Sequence, residues 1–181
     1  MRHYKFISLF FLGIAALSGC QKTGDQEVNR AFQDVNVVDE SNLSDIMLTV
    51  ADPNEAVNYF KRTAAENPER ADLHRGLGQS LIRAKRPTEA VPVYQRLLKL
   101  DGATDEDRVD YADALLRAGD WPKAEATLND VPPTYETFKR YRLEAMIADS
   151  NKEWSKADSF YETAVGLTTR PAGVLNNWGY S

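Results

Sequence analysis

The chain has 181 residues, a formal net charge of −5 and one cysteine. This length supports a single elongated domain with a terminal segment, and no second globular domain is required. The mild acidity argues against nucleic-acid binding, because the sequence has no dense stripe of Lys and Arg, and one cysteine excludes an internal disulfide.

The first twenty residues have the organisation of an export signal. Arg2, His3 and Lys5 form a short basic leader, and the apolar run 6–16 is too short to span a bilayer as a helix, which needs about 20 residues. Residues 17–20, Leu-Ser-Gly-Cys, resemble the bacterial lipobox, in which the leader is removed and the cysteine becomes a lipidated N-terminus. The resemblance implies a palmitoylated Cys20, and Gln21 in place of aspartate implies sorting to the outer membrane. An ordinary signal peptide with a free thiol is the alternative.

Residues 20–36 are predicted to form a flexible tether, because they are rich in Gln, Asn, Asp and Gly and poor in apolar side chains. Removal of residues 1–19 takes away Arg2 and Lys5 and changes the formal charge from −5 to −7. An acidic chain is not attracted to anionic lipid. Attachment to the membrane is therefore expected through the lipid alone.

Small residues recur along the rest of the chain at a spacing of about 34, which is the period of the tetratricopeptide helical hairpin. A small side chain is needed wherever two helices cross closely, once on each helix of a hairpin. The two series are Ala56, Ala90, Ala124 and Ala157, and Gly78, Ala112, Ala145 and Gly179.

The register predicts an all-α tetratricopeptide superhelix of about four repeats plus the start of a fifth. The sequence stops inside the first helix of the fifth unit, so we expect either a longer parent chain or an uncovered apolar end that a partner covers. The predicted units are residues 37–70, 71–104, 105–137, 138–171 and 172–181.

Three local signals predict where second helices begin. Asp52 followed by Pro53 is typical of a capped helix start. Thr88 is predicted to cap the second helix of the next unit, so that Pro92 falls among the first free N–H groups. Residues 155–158, Ser-Lys-Ala-Asp, resemble a capping box and predict a third start.

The sequence does not indicate catalysis, a cofactor, a metal site or a small-molecule substrate. His3 lies in the leader, and His74 lies on a predicted helix where it is expected to be partly packed. No Cys/His cluster has metal-ligand spacing, and no Gly-rich loop is placed to bind phosphate. Trp121 and Trp154, at equivalent turn positions, are expected to pack in the core.

Stacked first helices are predicted to line a groove that binds an extended peptide. The arginines and lysine on it would make the groove basic, which suits a peptide with carboxylates or a free C-terminus. The alternative is an ordinary solvated helix surface. The predicted groove residues are Arg75, Gln79, Arg83, Asp113, Arg117, Lys139, Arg142 and Asn176.

Part of the sequence resembles the tetratricopeptide lipoproteins of the tight-adherence (Flp/Tad) pilus system, the TadD-like group. The resemblance implies an outer-membrane lipoprotein that faces the periplasm of a Gram-negative cell and acts as a pilotin or assembly factor for the secretin pore. The alternatives are an accessory lipoprotein of a type IV pilus or of barrel assembly, and an adaptor that tethers a cell-wall enzyme. The segments concerned are residues 27–32, 51–57, 138–143, 164–167 and 175–179.

Overall fold

The computed structural model describes residues 42–181, and every regular element in that range is an α-helix. Residues 44–181 form one compact unit. The predicted leader, Cys20 and the tether lie outside the described residues. Helix α1 covers residues 42–49, and the remaining helices are α2 (Pro53–Glu66), α3 (Ala71–Arg83), α4 (Pro87–Leu97), α5 (Asp105–Ala118), α6 (Trp121–Asn129), α7 (Phe138–Ser150), α8 (Trp154–Gly166) and α9 (Ala172–Tyr180).

Each helix from α2 to α9 packs against the next helix in the chain, which is the arrangement of a helical-hairpin solenoid. The first helices of successive units also contact one another, α3 with α5 and α5 with α7. The predicted all-α solenoid is confirmed. First helices begin at Ala71, Asp105, Phe138 and Ala172, the residues at which the sequence register begins its units.

The small residues of the two series lie at close helix crossings. All six alanines are completely buried. A Cβ atom built on Gly78 would lie 2.6 Å from the ring of Tyr94, so only glycine fits between α3 and α4. Gly179 is the exception, because open space surrounds it.

The helix starts agree with the predicted caps at one position and differ at another. Asp52 caps α2, since its side chain accepts from the backbone N–H of Asn54 at 2.8 Å. The prediction for Thr88 is wrong, because α4 begins at Pro87. Proline suits the first helical position, whose N–H has no partner in any helix. Pro92 consequently lies inside α4, where its missing N–H leaves the carbonyl of Thr88 without the usual helical bond.

The predicted capping box at residues 155–158 is also wrong. Helix α8 begins one residue earlier, at Trp154, and no side chain caps it. Asp158 accepts instead from the indole N–H of Trp178 at 2.8 Å. A true capping box occurs on α5, where Thr104 and Asp107 each accept from the other's backbone N–H.

Two hydrophobic clusters hold the helices together. The larger extends from Val57 to Ile147, and the smaller joins α7, α8 and α9 around Tyr161. Trp121 is half-buried against the larger cluster. Trp154, the first residue of α8, is 52% exposed. The core prediction is therefore wrong for Trp154.

His74 packs as expected. It is buried on α3, and its Nε2 atom lies 3.0 Å from the carbonyl oxygen of Pro68. The imidazole therefore joins the second unit to the end of the first, in agreement with a packed structural histidine.

Candidate functional site

Three carboxylates lie along one face of α5 and point toward α3 and α7. Asp107, Asp110 and Asp113 are spaced by three residues, which places them on the same side of a helix. All three are at least nine-tenths buried, and each is paired with cations or hydrogen-bond donors from neighbouring residues. These carboxylates form the α5 acidic ridge.

Asp107 is the most buried member of the ridge and holds Arg75 of α3. The guanidinium donates from Nε at 2.6 Å and from Nη2 at 2.7 Å, and Nη2 also donates to the carbonyl of Gly102 at 3.0 Å. Burial alone would raise the pKa of Asp107, but the bonds from Arg75 and Thr104 outweigh it and hold that pKa below its usual value of 3.8. The pair joins the second and third units, so Arg75 is not free for a ligand.

Acidification is expected to remove the stabilisation that Asp107 provides. Its pKa is lower in the folded chain than in the unfolded chain, so the stabilisation is complete above 3.8 and is lost as the pH falls through the folded value. The difference in unfolding free energy between wild type and Asp107→Asn should therefore be constant at pH values well above 3.8 and should narrow as the pH falls below 3.8. Urea denaturation across that range measures it. A difference that stays constant with pH would contradict the assignment.

Asp110 connects α5 to both neighbouring first helices. Nζ of Lys139 on α7 lies 2.5 Å from Oδ1 of Asp110, and Nε2 of Gln79 on α3 donates to Oδ2 at 3.4 Å. The buried hydroxyl of Tyr94 also donates to Oδ2, at 3.5 Å. Burial first, and then the ridge charges, raise the pKa of Tyr94 far above its usual range. The tyrosine therefore stays a neutral donor at every relevant pH.

Asp113 forms ion pairs with three cations beside the ridge. Arg117, one turn further along α5, donates to it at 3.0 Å, and Lys139 lies 3.6 Å away. Arg142 on α7 lies 3.9 Å from the same carboxylate, and its buried Nε atom has no hydrogen-bond partner. Of these cations, Arg142 makes the longest and weakest contact with the ridge.

The two other predicted groove residues, Arg83 and Asn176, form no ion pair with the ridge carboxylates in the part of the chain that the structure describes. Arg83 donates at 3.0 Å to the carbonyls of both Met47 and Ala51, just before and after the end of α1. A cation at this position satisfies carbonyls that a helix end leaves free. Asn176 is exposed on α9.

The cations of the predicted basic groove are held by groups of the protein itself. Four of its five cations pair with the α5 acidic ridge, and the fifth binds the end of α1. The sequence interpretation named Asp113 but missed Asp107 and Asp110. Their spacing of three, opposite Arg75 and Lys139, is the signal that could have identified them.

A cleft of about 340 Å³ lies beside the ridge, between the first helices. Four of the predicted groove residues line it, together with apolar side chains from α1 and α3 and the ring of Tyr94. We name it the ridge cleft. Its lining is Leu48, Gln79, Ile82, Arg83, Tyr94, Glu106, Asp110, Asp113 and Lys139.

Stacked helical hairpins whose first helices share a cleft define a solenoid of the protein-binding class. Two family models, both described as tetratricopeptide repeat, match residues 47–105 and 81–147, which together span more than half of the chain. The chain belongs to the tetratricopeptide repeat proteins. Proteins of this family are scaffolds that bind protein or peptide partners.

Similar proteins agree with this fold. Tetratricopeptide repeat protein 21B of Xenopus laevis is 30% identical over 86 residues, which are 48% of this chain and 6% of that protein. The chain therefore spans a small fraction of this curated relative.

Solved structures also share the architecture. MamA 41-end from Desulfovibrio magneticus RS-1 has a TM-score of 0.65 at 21% identity, covering 77% of this chain and 80% of that chain. The crystal structure of the APC/C hetero-tetramer Cut9-Hcn1 also has a TM-score of 0.65, at 15% identity, covering 71% of this chain and 26% of that one. At these identities the likeness shows the fold alone.

Two other kinds of site are absent from residues 42–181. No helix in this range is long and apolar enough to cross a membrane. No group of His, Cys, Asp and Glu side chains within it is arranged to hold a metal ion.

Proposed function

We propose that this protein is a lipid-anchored periplasmic scaffold of the outer membrane that assists assembly of the Flp/Tad pilus, as a pilotin for its secretin. The observation that carries the proposal is the combination of a lipobox-like sequence at residues 17–20 with a tetratricopeptide array whose segments resemble TadD-like lipoproteins. Lipidated Cys20 would hold the array at the membrane while the array binds its partner.

In this proposal the ridge cleft receives an extended segment of the partner. Leu48 and Ile82 offer apolar contact, and Glu106 and the polar ridge side chains offer hydrogen bonds. Lys139 is already paired with the ridge and Arg83 already donates to backbone carbonyls, so ion pairs with the partner are expected to contribute little to affinity. Buried apolar area and directed hydrogen bonds are expected to provide most of it.

Replacement of Cys20 by alanine is expected to release the protein from the membrane. The variant keeps the repeat sequence but lacks the thiol that would carry the acyl chains, and each buried methylene contributes about 0.8 kcal/mol to anchoring. Immunoblots of washed membranes and soluble periplasm measure the distribution, and wild type is the control. Retention of the variant on membranes through detergent-free washes would contradict the anchor.

Affinity purification of the lipidated protein from detergent-solubilised envelopes tests the function itself. Enrichment of a secretin together with pilus-assembly proteins is the expected result. Glu106→Lys should reduce that enrichment because Glu106 is exposed and lines the ridge cleft, whereas Glu162→Lys, equally exposed on α8, serves as the matched control. Recovery of barrel-assembly proteins, type IV pilus proteins or cell-wall enzymes instead would overturn the pilus assignment.

A further inference from the structure

A second cleft, of about 410 Å³, lies where the turns of two hairpins meet α9. Its walls include four aromatic side chains: Trp121 and Trp154 from the first residues of α6 and α8, Tyr161 from α8 and Tyr180 from α9. Asp149, near the end of α7, also lines it. We name this site the aromatic cleft.

Asp149 places a carboxylate group in the aromatic cleft. Its Oδ2 atom accepts from the hydroxyl of Tyr161 at 2.7 Å, and its Oδ1 atom accepts from the hydroxyl of Ser181. Both donors are neutral. Among residues 42–181 no lysine, arginine or histidine lies within ion-pair distance of Asp149, although eleven other ion pairs are formed there.

Three cations close to the cleft in sequence contact other groups. Lys123 lies over the ring of Tyr111, 5.6 Å from its centre, and Lys156 pairs with Glu153 at 2.8 Å. Arg142, two turns before the carboxylate on α7, reaches toward the α5 acidic ridge instead. The site thus combines aromatic walls with an uncompensated carboxylate.

We propose that the aromatic cleft binds the side chain of a lysine or arginine from an extended segment of the protein partner. A cation is attracted to the faces of aromatic rings, most strongly to tryptophan, and a nearby carboxylate adds charge complementarity. The proposal rests on the protein-binding role given above and specifies the chemistry of the partner. It also gives a role in ligand binding to Trp154, which is 52% exposed and is not part of the core.

Titration with single-residue probes, followed by NMR, tests the site on the full-length chain. The chain has three tryptophans, so each indole N–H signal can be assigned by substitution. N-acetyl-arginine methylamide or its lysine equivalent should shift the signals of Trp121 and Trp154 in a saturable way. The signal of Trp178, which stacks on Tyr161 and does not line the cleft, should move less.

Two comparisons distinguish a cation-binding site from an apolar pocket. N-acetyl-norleucine methylamide, of similar length but uncharged, should bind at least about tenfold more weakly. Asp149→Asn keeps the side-chain shape and an acceptor for Tyr161, and should weaken arginine binding by about tenfold or more. Asp101→Asn, an equal change at an exposed position in the loop after α4, should leave binding unchanged.

Equal binding of the norleucine and arginine probes, or unchanged binding in Asp149→Asn, would overturn the proposal. Preferential binding of N-acetyl-glutamate methylamide would overturn it as well. Far-UV circular dichroism and the Trp178 signal establish that each variant is folded. The titration needs no envelope partner, so failure here with a secretin recovered by purification would remove the cation site and leave the proposed function standing.

Discussion

Arg75→Met is expected to lower the free energy of unfolding by about 3 kcal/mol, the lower end of the range for breaking a buried ion pair. Methionine keeps the apolar stem of the side chain, so packing changes little. The carboxylate of Asp107, which is completely buried, would retain only its bonds from Thr104. Urea denaturation followed by circular dichroism at neutral pH measures the loss.

Arg117→Met is the matched control for this experiment. Arg117 also pairs with a member of the α5 acidic ridge, but its side chain is 49% exposed and the pair lies within one helix. Such pairs contribute about 0.3–0.5 kcal/mol. Equal losses in the two variants would show that Arg75 behaves as an ordinary surface cation, and the inter-unit link through Asp107 would then be wrong.

The fold could be predicted because the repeat imposes a steric requirement at fixed intervals. Ala90 and Ala124, for example, must be small whatever surrounds them, since a neighbouring helix crosses at that point. A requirement of this kind is visible in one sequence without knowledge of the contacts. The same reasoning predicted that Gly78 would be enclosed, and the ring of Tyr94 encloses it.

Helix starts were less predictable because several nearby residues can serve as the first position. Thr88 has a side chain suited to capping, yet α4 begins before it, at Pro87. In the same way, α8 begins at Trp154, before the predicted cap Ser155. The choice between adjacent starts depends on which side chains the packed hairpin must bury. That information comes from tertiary contacts.

The charge of the candidate site depends on pairing between units, which a residue count cannot show. Arg75 and Asp107 are 32 positions apart in sequence but share two hydrogen bonds. The sequence identified the cations correctly as residues of the first helices, but it did not place their partners. Trp154 shows the same limit, because its repeat position resembles that of Trp121 while its exposure depends on the neighbouring helices.

Gly76→Ala is expected to destabilise the protein by about 1–2 kcal/mol, even though alanine is the better helix former by about 1 kcal/mol. A Cβ atom at Gly76 would lie 2.4 Å from the ring of Phe60. That ring is only 1% exposed and is enclosed between α2 and α3, so it has little room to move away. Thermal and urea unfolding of the variant measure the effect.

Gly166→Ala separates the helix-propensity gain from the steric cost. Gly166 is the last residue of α8, and nothing lies within 4 Å of a Cβ atom built there, so this variant should be unchanged or slightly stabilised. Phe60→Leu provides room beside Gly76. Because the two residues are in contact, the double variant should lose less stability than the sum of the single losses. Strictly additive losses of stability, or a stabilising effect of Gly76→Ala, would mean that the crossing of α2 and α3 has room for a Cβ atom at residue 76.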